Sequence, residues 1–546
     1  MRGLVALLVA SMALAGAPMA AESATLPPGG TFFDDDGNVH EGAIEAIAAA
    51  GVTRGCGVEV DDLFCPSRVV TRGQMAAFLR RALDLPASPD DVFADDDASV
   101  FEADIQAIAA AGITRGCGAG RFCPERPVLR GEMAAFLTRA FGYPASDDDS
   151  FVDDDDSVFQ ADIQALAAAG VTKGCGAARY CPEDPVRRDE MASFLTRALR
   201  YPPIVVQPRP VVSVAFTGDT LIHLPVTERA EQNGDISGRP YDFAPMFEPV
   251  EPLLEAADLA ICHLEVPLSP SNTGLSGYPT FNAPRDLAAG LAEAGFDGCS
   301  TASNHSIDQG AAGVVATLDV LDDAGLAHAG TARSQAEADQ AAVYRIGDLT
   351  IAHLSATWWL NGLSEPGAMP WLVENLDVDR LLERARAAKE AGADFVVVSV
   401  HCCTEYQTEP TTYQRQVDRA LLDSPHVDLV VGHHAHVVQP IERRGDEFIV
   451  YGLGNFVSAQ RRLPETIDGV VVIVEVAERH GAWVTRAIRY APTWVEAGTY
   501  RVLPAAETIT SGTAGALEET LRASWSRTSR TILGFRAQPV TPLDRP

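Results

Sequence analysis

Between residues 32 and 200 apolar positions recur at helical spacing, in a pattern that repeats three times. Ile105, Ile108 and Ala109 share one face of a helix ending at Gly112, and Met133, Phe136 and Leu137 share a face of a second that begins near Arg130. The same helix pair opens on "FFDDDGNVHEGAIEAIAAAGVTRGCG", "VFADDDASVFEADIQAIAAAGITRGCG" and "FVDDDDSVFQADIQALAAAGVTKGCG". Met75, Met133 and Met191 stand 58 residues apart, as do Arg72, Arg130 and Arg188. This predicts three two-helix repeats over 32–84, 92–142 and 150–200. After Tyr201 the pattern changes: "YPPIVVQPRP" (201–210) reads as a stiff linker. Beyond it, "VVSVAFTGD", "DLAICHLE", "FDGCSTASN", "LTIAHLSAT", "FVVVSVH" and "VDLVVGHH" read as strands, with helices near 284–294, 310–325, 378–391 and 411–423. That alternation is α/β organisation, with polar residues gathered just past the strand ends where such folds build their sites.

Length and charge narrow the picture. A chain of 546 residues is too long for one ordinary core. With 42 Lys+Arg against 75 Asp+Glu, its net charge of −33 repels nucleic acid. The opening "MRGLVALLVASMALAGAPMAA" places Arg2 before an apolar run too short to span a bilayer and then small residues, the pattern of a secretory signal over 1–21. No second long apolar run occurs, so the expected product is secreted, without a transmembrane span in the mature chain. In an exported chain the repeated pairs Cys56 and Cys65, Cys117 and Cys123, and Cys175 and Cys181 read as one disulfide per repeat. Zinc is the weaker competitor, since no His accompanies the pairs and the spacing is not C-x2-C. The acidic runs Asp34–Asp36, Asp95–Asp97 and Asp153–Asp156 lack EF-hand order and read as solvated loop faces capping the adjoining helices rather than calcium sites.

The aromatic-x-Asp openings and the turns "TRGQ", "LRGE" and "RRDE" resemble S-layer homology (SLH) repeats, whose turn is usually "TRAE"-like. The resemblance implies an all-α, trefoil-like unit of three repeats that docks onto cell-wall polysaccharide, and hence a bacterial cell-surface location. Arg72, Arg130 and Arg188 recur at a helix start, where a guanidinium fork and backbone N–H groups can hold a carboxylate, and are the expected polysaccharide-binding residues. The competing reading is that they satisfy nearby Asp side chains.

In the second half, "VVGHHAHVVQP" crowds His433, His434 and His436 at the end of an apolar run. Other strand ends deliver Asp219, Glu265, Asn304, His305 and His401. Such a set of carboxylate, amide and imidazole donors suits two divalent cations: manganese, iron or zinc rather than calcium. The succession "GDTLIH", "HLE", "ASNHSIDQG", "HCCTEYQTEPTTYQRQ", "GHHAHVVQPIE" and "YGLGNF" resembles the metallophosphatase-like CapA family associated with poly-γ-glutamate capsules. It implies a calcineurin-like four-layer α/β/β/α sandwich over 211–475, with Asp219, Glu265, Asn304, His401, His433, His434 and His436 as metal ligands. His305, with Asp308, takes the catalytic place, and 476–546 is left as a C-terminal extension carrying a helix near 513–523.

Departures from that pattern are Cys402-Cys403 where the family has Trp-Gly, His263 in place of Asn before Leu264-Glu265, and no His two residues after Asp219, with His223 further on. Cys402-Cys403 suit a thiolate ligand or a vicinal disulfide, and Cys262 and Cys299 read as buried thiols on neighbouring strands. The leading functional expectation is a wall-anchored, metal-dependent hydrolase linked to poly-γ-glutamate or capsule metabolism. The alternative is a non-catalytic accessory of poly-γ-glutamate synthesis or export, in contact with the polymer or its synthesis machinery. Ligand residues indicate metal, not substrate.

Overall fold

The computed structural model describes residues 26, 28–56, 62–537 and 540–546, and the expected signal over 1–21 lies outside them. The chain divides into a unit ending at Arg209 and another beginning at Pro210.

Among the described residues of the first unit, six helices form: α1 (Glu41–Ala49), α2 (Arg72–Ala82), α3 (Glu102–Ala110), α4 (Arg130–Phe141), α5 (Gln160–Ala168) and α6 (Arg188–Ala198). The second helix of each repeat packs on the first helix of the next, α2 on α3 and α4 on α5, and α6 returns to α1. The ring closes on a triangle of backbone bonds: Val70 N–H donates to Val186 O, Val186 to Val128 O and Val128 to Val70 O, each at 2.9 Å. Around it Met75, Met133 and Met191 are wholly buried in one core with Phe64, Phe122 and Tyr180. The cysteine pairs of the repeats are disulfides, Cys56–Cys65, Cys117–Cys123 and Cys175–Cys181.

The repeat arginines correct the expectation of open guanidinium forks. Arg72 Nε donates to Phe122 O at 2.8 Å, Arg130 Nε to Tyr180 O at 2.8 Å and Arg188 Nε to Phe64 O at 2.7 Å. Each crosses to the neighbouring repeat and lies over two rings: Phe122 and Phe136, Tyr180 and Phe194, Phe64 and Phe78. All three are buried, because an arginine satisfied by a carbonyl and two ring faces joins repeats that otherwise meet largely through apolar contacts. Arg72 and Arg130 reach Glu132 and Glu190 besides.

Those runs correct a second expectation. Asp34, Asp95 and Asp153 accept the N–H groups of Phe64 and Cys65, Phe122 and Cys123, and Tyr180 and Cys181. The residues after them, Asp35, Asp96 and Asp154, are fully buried, and among the described residues no side chain caps α1, α3 or α5.

Among its described residues the second unit holds two sheets. Its strands are β1 (Val211–Leu221), β2 (Leu259–Leu264), β3 (Gly298–Ser300), β4 (Ala327–Ala329), β5 (Ala342–Ile346), β6 (Leu349–Thr357), β7 (Phe395–His401), β8 (Leu429–His433), β9 (Ile441–Arg444), β10 (Glu447–Val450), β11 (Asn455–Ser458), β12 (Asp468–Arg479), β13 (Ala482–Val495), β14 (Val502–Pro504) and β15 (Val540–Pro542). One sheet runs β14-β13-β12-β1-β2-β3-β4, with β11 beside β1 and β15 beside β13; the other runs β5-β6-β7-β8-β10-β9. Alternation sorts the residues into layers. Val214, Phe216, Ile261, Phe395, Val397 and Val431 meet between the sheets, while Val396, Val398 and Val430 face the helices Val378–Glu390 and Thr412–Leu422 through Leu381, Ala385 and Leu421. On the other outer face Ala215, Ala260 and Cys262 pack under Leu287, Leu291, Val314 and Leu318 of helices Asp286–Glu293 and Gly310–Asp323. This is the four-layer α/β/β/α order.

The expected boundary at 475 falls inside β12, which pairs with β1 on one side and β13 on the other. Beyond 475, the rest of β12 with β13, β14 and β15 completes the first sheet, and the helix Glu518–Ile532 packs on β12 and β13. They are no appendage.

The ring geometry of the repeats predicts that Arg130→Ala leaves Tyr180 O without its donor and strips two rings of their cation. The expected loss is about 2–4 kcal/mol of repeat-unit stability, read as a lower midpoint in denaturant melts of the full chain. An unchanged midpoint contradicts the joint.

Candidate metal centre

Parallel strands deliver their C-terminal ends to one edge, and here the edges of both sheets meet. β1, β2 and β3 bring Asp219, His263 and, just beyond the strands, Glu265 and Asn304; β7 and β8 bring His401 and His433, and the turn after β8 brings His434 and His436. Two glycines allow the approach. A Cβ on Gly218 would lie 2.0 Å from Gly454 O, and one on Gly432 would lie 2.0 Å from Tyr451 O. Bare backbone at Gly218 lets Asp219 N–H reach Gly454 O at 2.9 Å. His434 and His436 hold φ values of 83° and 54°, a left-handed backbone that side-chain-bearing residues adopt at a cost and that turns both rings from one short segment.

The polar atoms converge. Asp219 Oδ2 lies 3.0 Å from His436 Nδ1 and Oδ1 lies 3.5 Å from His433 Nδ1; Glu265 Oε1 lies 3.8 Å from His436 Nε2 and 3.9 Å from His401 Nε2. His401 Nε2 is 3.0 Å from Asn304 Oδ1 and 3.1 Å from His434 Nδ1, while its Nδ1 is 2.9 Å from His263 Nε2. Asp219 belongs to two buried triads, one with His263 and His401, the other with Glu265 and His436, each with donor atoms within 4.8 Å of one another. Among the described residues neither oxygen of Glu265 has a hydrogen-bond partner, nor does Asp219 Oδ2 or His433 Nδ1. The 3.0 Å approach of His436 to Asp219 is thus close but poorly aligned.

Burial alone would raise the Asp219 carboxyl, yet the close approach of His433 and His436 and nearby imidazole charge carry it well below its ordinary value. Glu265 goes the other way, pushed by burial up to about 8. Burial pulls His263 and His401 well below their usual range and His434 down to about 4. Burial also opposes charge on His436, but Glu265 and Asp219 outweigh it and raise that ring to about 9. Neutral rings at His263, His401 and His434 beside orphaned oxygens of Asp219 and Glu265 form a donor set that fits divalent cations.

His305 stands beside this cluster. Its Nδ1 is 2.7 Å from Asp308 Oδ2, which also accepts Phe281 N–H at 2.6 Å, and the Phe281 ring packs edge-on against the imidazole. Asn361, from the loop after β6, places its amide nitrogen 3.4 Å from both ring nitrogens and accepts from Asn304.

All the strand-end candidates, Asp219, Glu265, Asn304, His305, His401, His433, His434 and His436, come together. His263 is legible in the sequence only as a departure; it sits inside β2, stacked on His433 at 4.0 Å and held by Ser300 Oγ at 2.7 Å. Asn455, in the "GNF" of "YGLGNF", places Oδ1 3.1 Å from His436 Nδ1, a role that only its place in that motif hints at. His223 touches Leu221 O and the Phe281 ring rather than Asp219. Cys402–Cys403 is a vicinal disulfide directly after His401, and Cys262–Cys299, expected as thiols, bridges register partners of β2 and β3.

Comparison with known proteins agrees with the motif reading. Residues 213–460 match the family described as bacterial capsule synthesis protein PGA_cap, and residues 93–134 match the S-layer homology domain. A PGA biosynthesis protein CapA of Bacillus subtilis is 30% identical over 258 residues, 46% of this chain and 64% of that relative, a little under two thirds of its length. A surface-layer 125 kDa protein of Lysinibacillus sphaericus is 29% identical over 164 residues, 29% of this chain and 14% of its own. Among solved structures, a calcineurin-like phosphoesterase of Bacillus subtilis aligns with a TM-score of 0.34 at 13% identity, covering 58% of this chain and all of that one. At that score the architecture rests on strand order and core layers, not on the likeness. The chain therefore carries a PGA_cap capsule-synthesis domain over 213–460 and an S-layer homology domain over 93–134.

Proposed function

We propose that the edge shared by the two sheets is a two-metal hydrolytic centre on a wall-anchored, exported protein of capsule or poly-γ-glutamate metabolism. The observation that carries the reading is the pair of buried triads sharing Asp219, with Asp219 Oδ2 and both Glu265 oxygens lacking protein donors among the described residues. Asp219, shared by both triads, with His263, His401, Glu265 and His436, would hold the cations, and Asn304, His433 and His434 would add donors beside them. Manganese, iron or zinc suits such mixed donors. Bound there, two cations lower the pKa of a water and hold negative charge in the transition state.

The remaining work falls to this chain's side chains. Asp308 accepts a hydrogen bond from His305 Nδ1 and fixes the ring, leaving Nε2 as the nitrogen that passes a proton to the leaving group. Asn455 orients His436 through Nδ1, so that Nε2 faces Glu265. The accessory reading is favoured by the capsule-biosynthesis match alone, which needs no catalysis.

Wall attachment is proposed to lie not at the three buried arginines alike but at one joint. A cavity of about 930 Å³ is lined by Arg54, Arg68, Arg81 and Arg188 with Glu125. Arg188 shares it with Gln74, whereas Arg72 and Arg130 meet Glu132 and Glu190, and burial lowers Arg188 to about 10. In a chain of net charge −33 this basic recess suits an acidic glycan.

Two outcomes are expected. Asp219→Asn should lose bound metal and all turnover of bis(p-nitrophenyl) phosphate or a γ-glutamyl amide, whereas His305→Ala should keep metal and slow turnover about a hundredfold. Metal retained with no turnover of either probe by the parent chain favours the accessory reading. In sedimentation with purified wall, Arg54→Glu with Arg68→Glu should cut binding at least about tenfold, and salt should do the same to the parent; undiminished binding removes the recess from the account.

A further inference from the structure

The three repeats are near copies, so a difference at one buried position is informative. In repeats two and three Gln106 and Gln164 occupy the same place on the first helix. Gln106 Oε1 accepts Val92 N–H at 3.0 Å while Nε2 donates to the buried Asp96 at 3.0 Å; Gln164 Oε1 accepts Ser150 N–H at 2.9 Å while Nε2 donates to Asp154 at 2.8 Å. Repeat one carries Glu45 there. Its Oε1 accepts the matching Thr31 N–H at 2.9 Å, so the side chain is placed as the glutamines are. Where they offer an N–H, it offers a second oxygen, already accepting from the Thr31 hydroxyl at 2.6 Å.

Asp35, the counterpart of Asp96 and Asp154, is left without a donor. It is 0% exposed, as is Glu45, and neither of its oxygens has a hydrogen-bond partner among the described residues. Burial and then Glu45, Glu41, Asp34 and Asp36 act on it, all in the direction that disfavours its charge, and push it to about 9. The basic group nearby, Arg209, pairs with Asp36 at 2.9 Å. Asp34 is occupied by Phe64 and Cys65 N–H groups. Asp35 is thus a buried carboxyl with no donor among the described residues, beside a buried Glu45 whose two oxygens are met by Thr31, in the repeat that alone lacks the glutamine.

We propose that Asp35 and Glu45 hold a calcium ion in repeat one, where the sister repeats use a glutamine. The donors are all oxygen, which selects a hard cation, and two carboxylates supply the charge that a dication balances. A site with only two carboxylates belongs with the weak extracellular class, about 0.1–1 mM. The ion then braces the first repeat, so that the ring of repeats is complete when calcium is present.

The test is thermal melting of the full chain, with Glu45→Gln as the comparison, since that change installs the residue the other repeats carry and does not endanger folding. In about 10 mM CaCl2 against EDTA, the repeat-unit transition of the parent should rise by roughly 3–6 °C near pH 7.5, and that of Glu45→Gln should already be high in EDTA and move by less than about 1 °C. Because the metal centre of the other unit also meets divalent ions, the calcium shift is read as the difference between parent and variant. A parent transition that ignores calcium but rises as the pH falls from about 8 to about 6 means a shared proton holds the pair, and overturns the proposal. So does a calcium shift of equal size in Glu45→Gln.

Discussion

Burying carboxylates is the constraint on which the rest of the second unit depends. Asp219 and Glu265 are each about 1% exposed, at the meeting edge of two sheets, beside His263 and His401, which burial keeps neutral. Charge taken out of water without a partner costs several kcal/mol per ion, more than a domain can give up several times over. Every local oddity at this edge is a way of converging on these two groups: glycines at 218 and 432, left-handed histidines at 434 and 436, and an asparagine at 455 behind His436. The apolar layers between and outside the sheets supply the stability that such an edge consumes.

The first unit meets a different constraint. None of its repeats can enclose a core alone, since each has two short helices. Closing the three into a ring solves this, and the arginines and the valine triangle are the polar groups that fix the ring's register. Their burial also explains why the joint at Arg188, which has Gln74 where the others have a glutamate, keeps basic character toward a cavity.

Much of the centre is legible in the sequence because its residues adjoin apolar runs. Asp219, Glu265, His401 and His433 each end or succeed a strand rich in Val, Ile or Leu, and strand ends of parallel sheets share an edge. His263 is not legible as a donor, since a histidine inside a buried strand reads the same whether it fills space or binds. The arginines mislead because a helix-start arginine has one sequence appearance whether it meets solvent or the next repeat. Ring closure decides that, and it is a long-range fact. The apolar run Val470–Val476 carries a strand signal, but no polar station ends it, so nothing local ties β12 and β13 to the domain and the C-terminal residues look detached.

The central claim is that Asp219, Glu265 and their imidazoles exist to hold cations. Elemental analysis of the full chain, loaded with manganese or zinc and desalted, tests it most directly. The account predicts about two ions per folded chain, lost in Asp219→Asn; a folded parent chain that retains none after loading with either metal would contradict it.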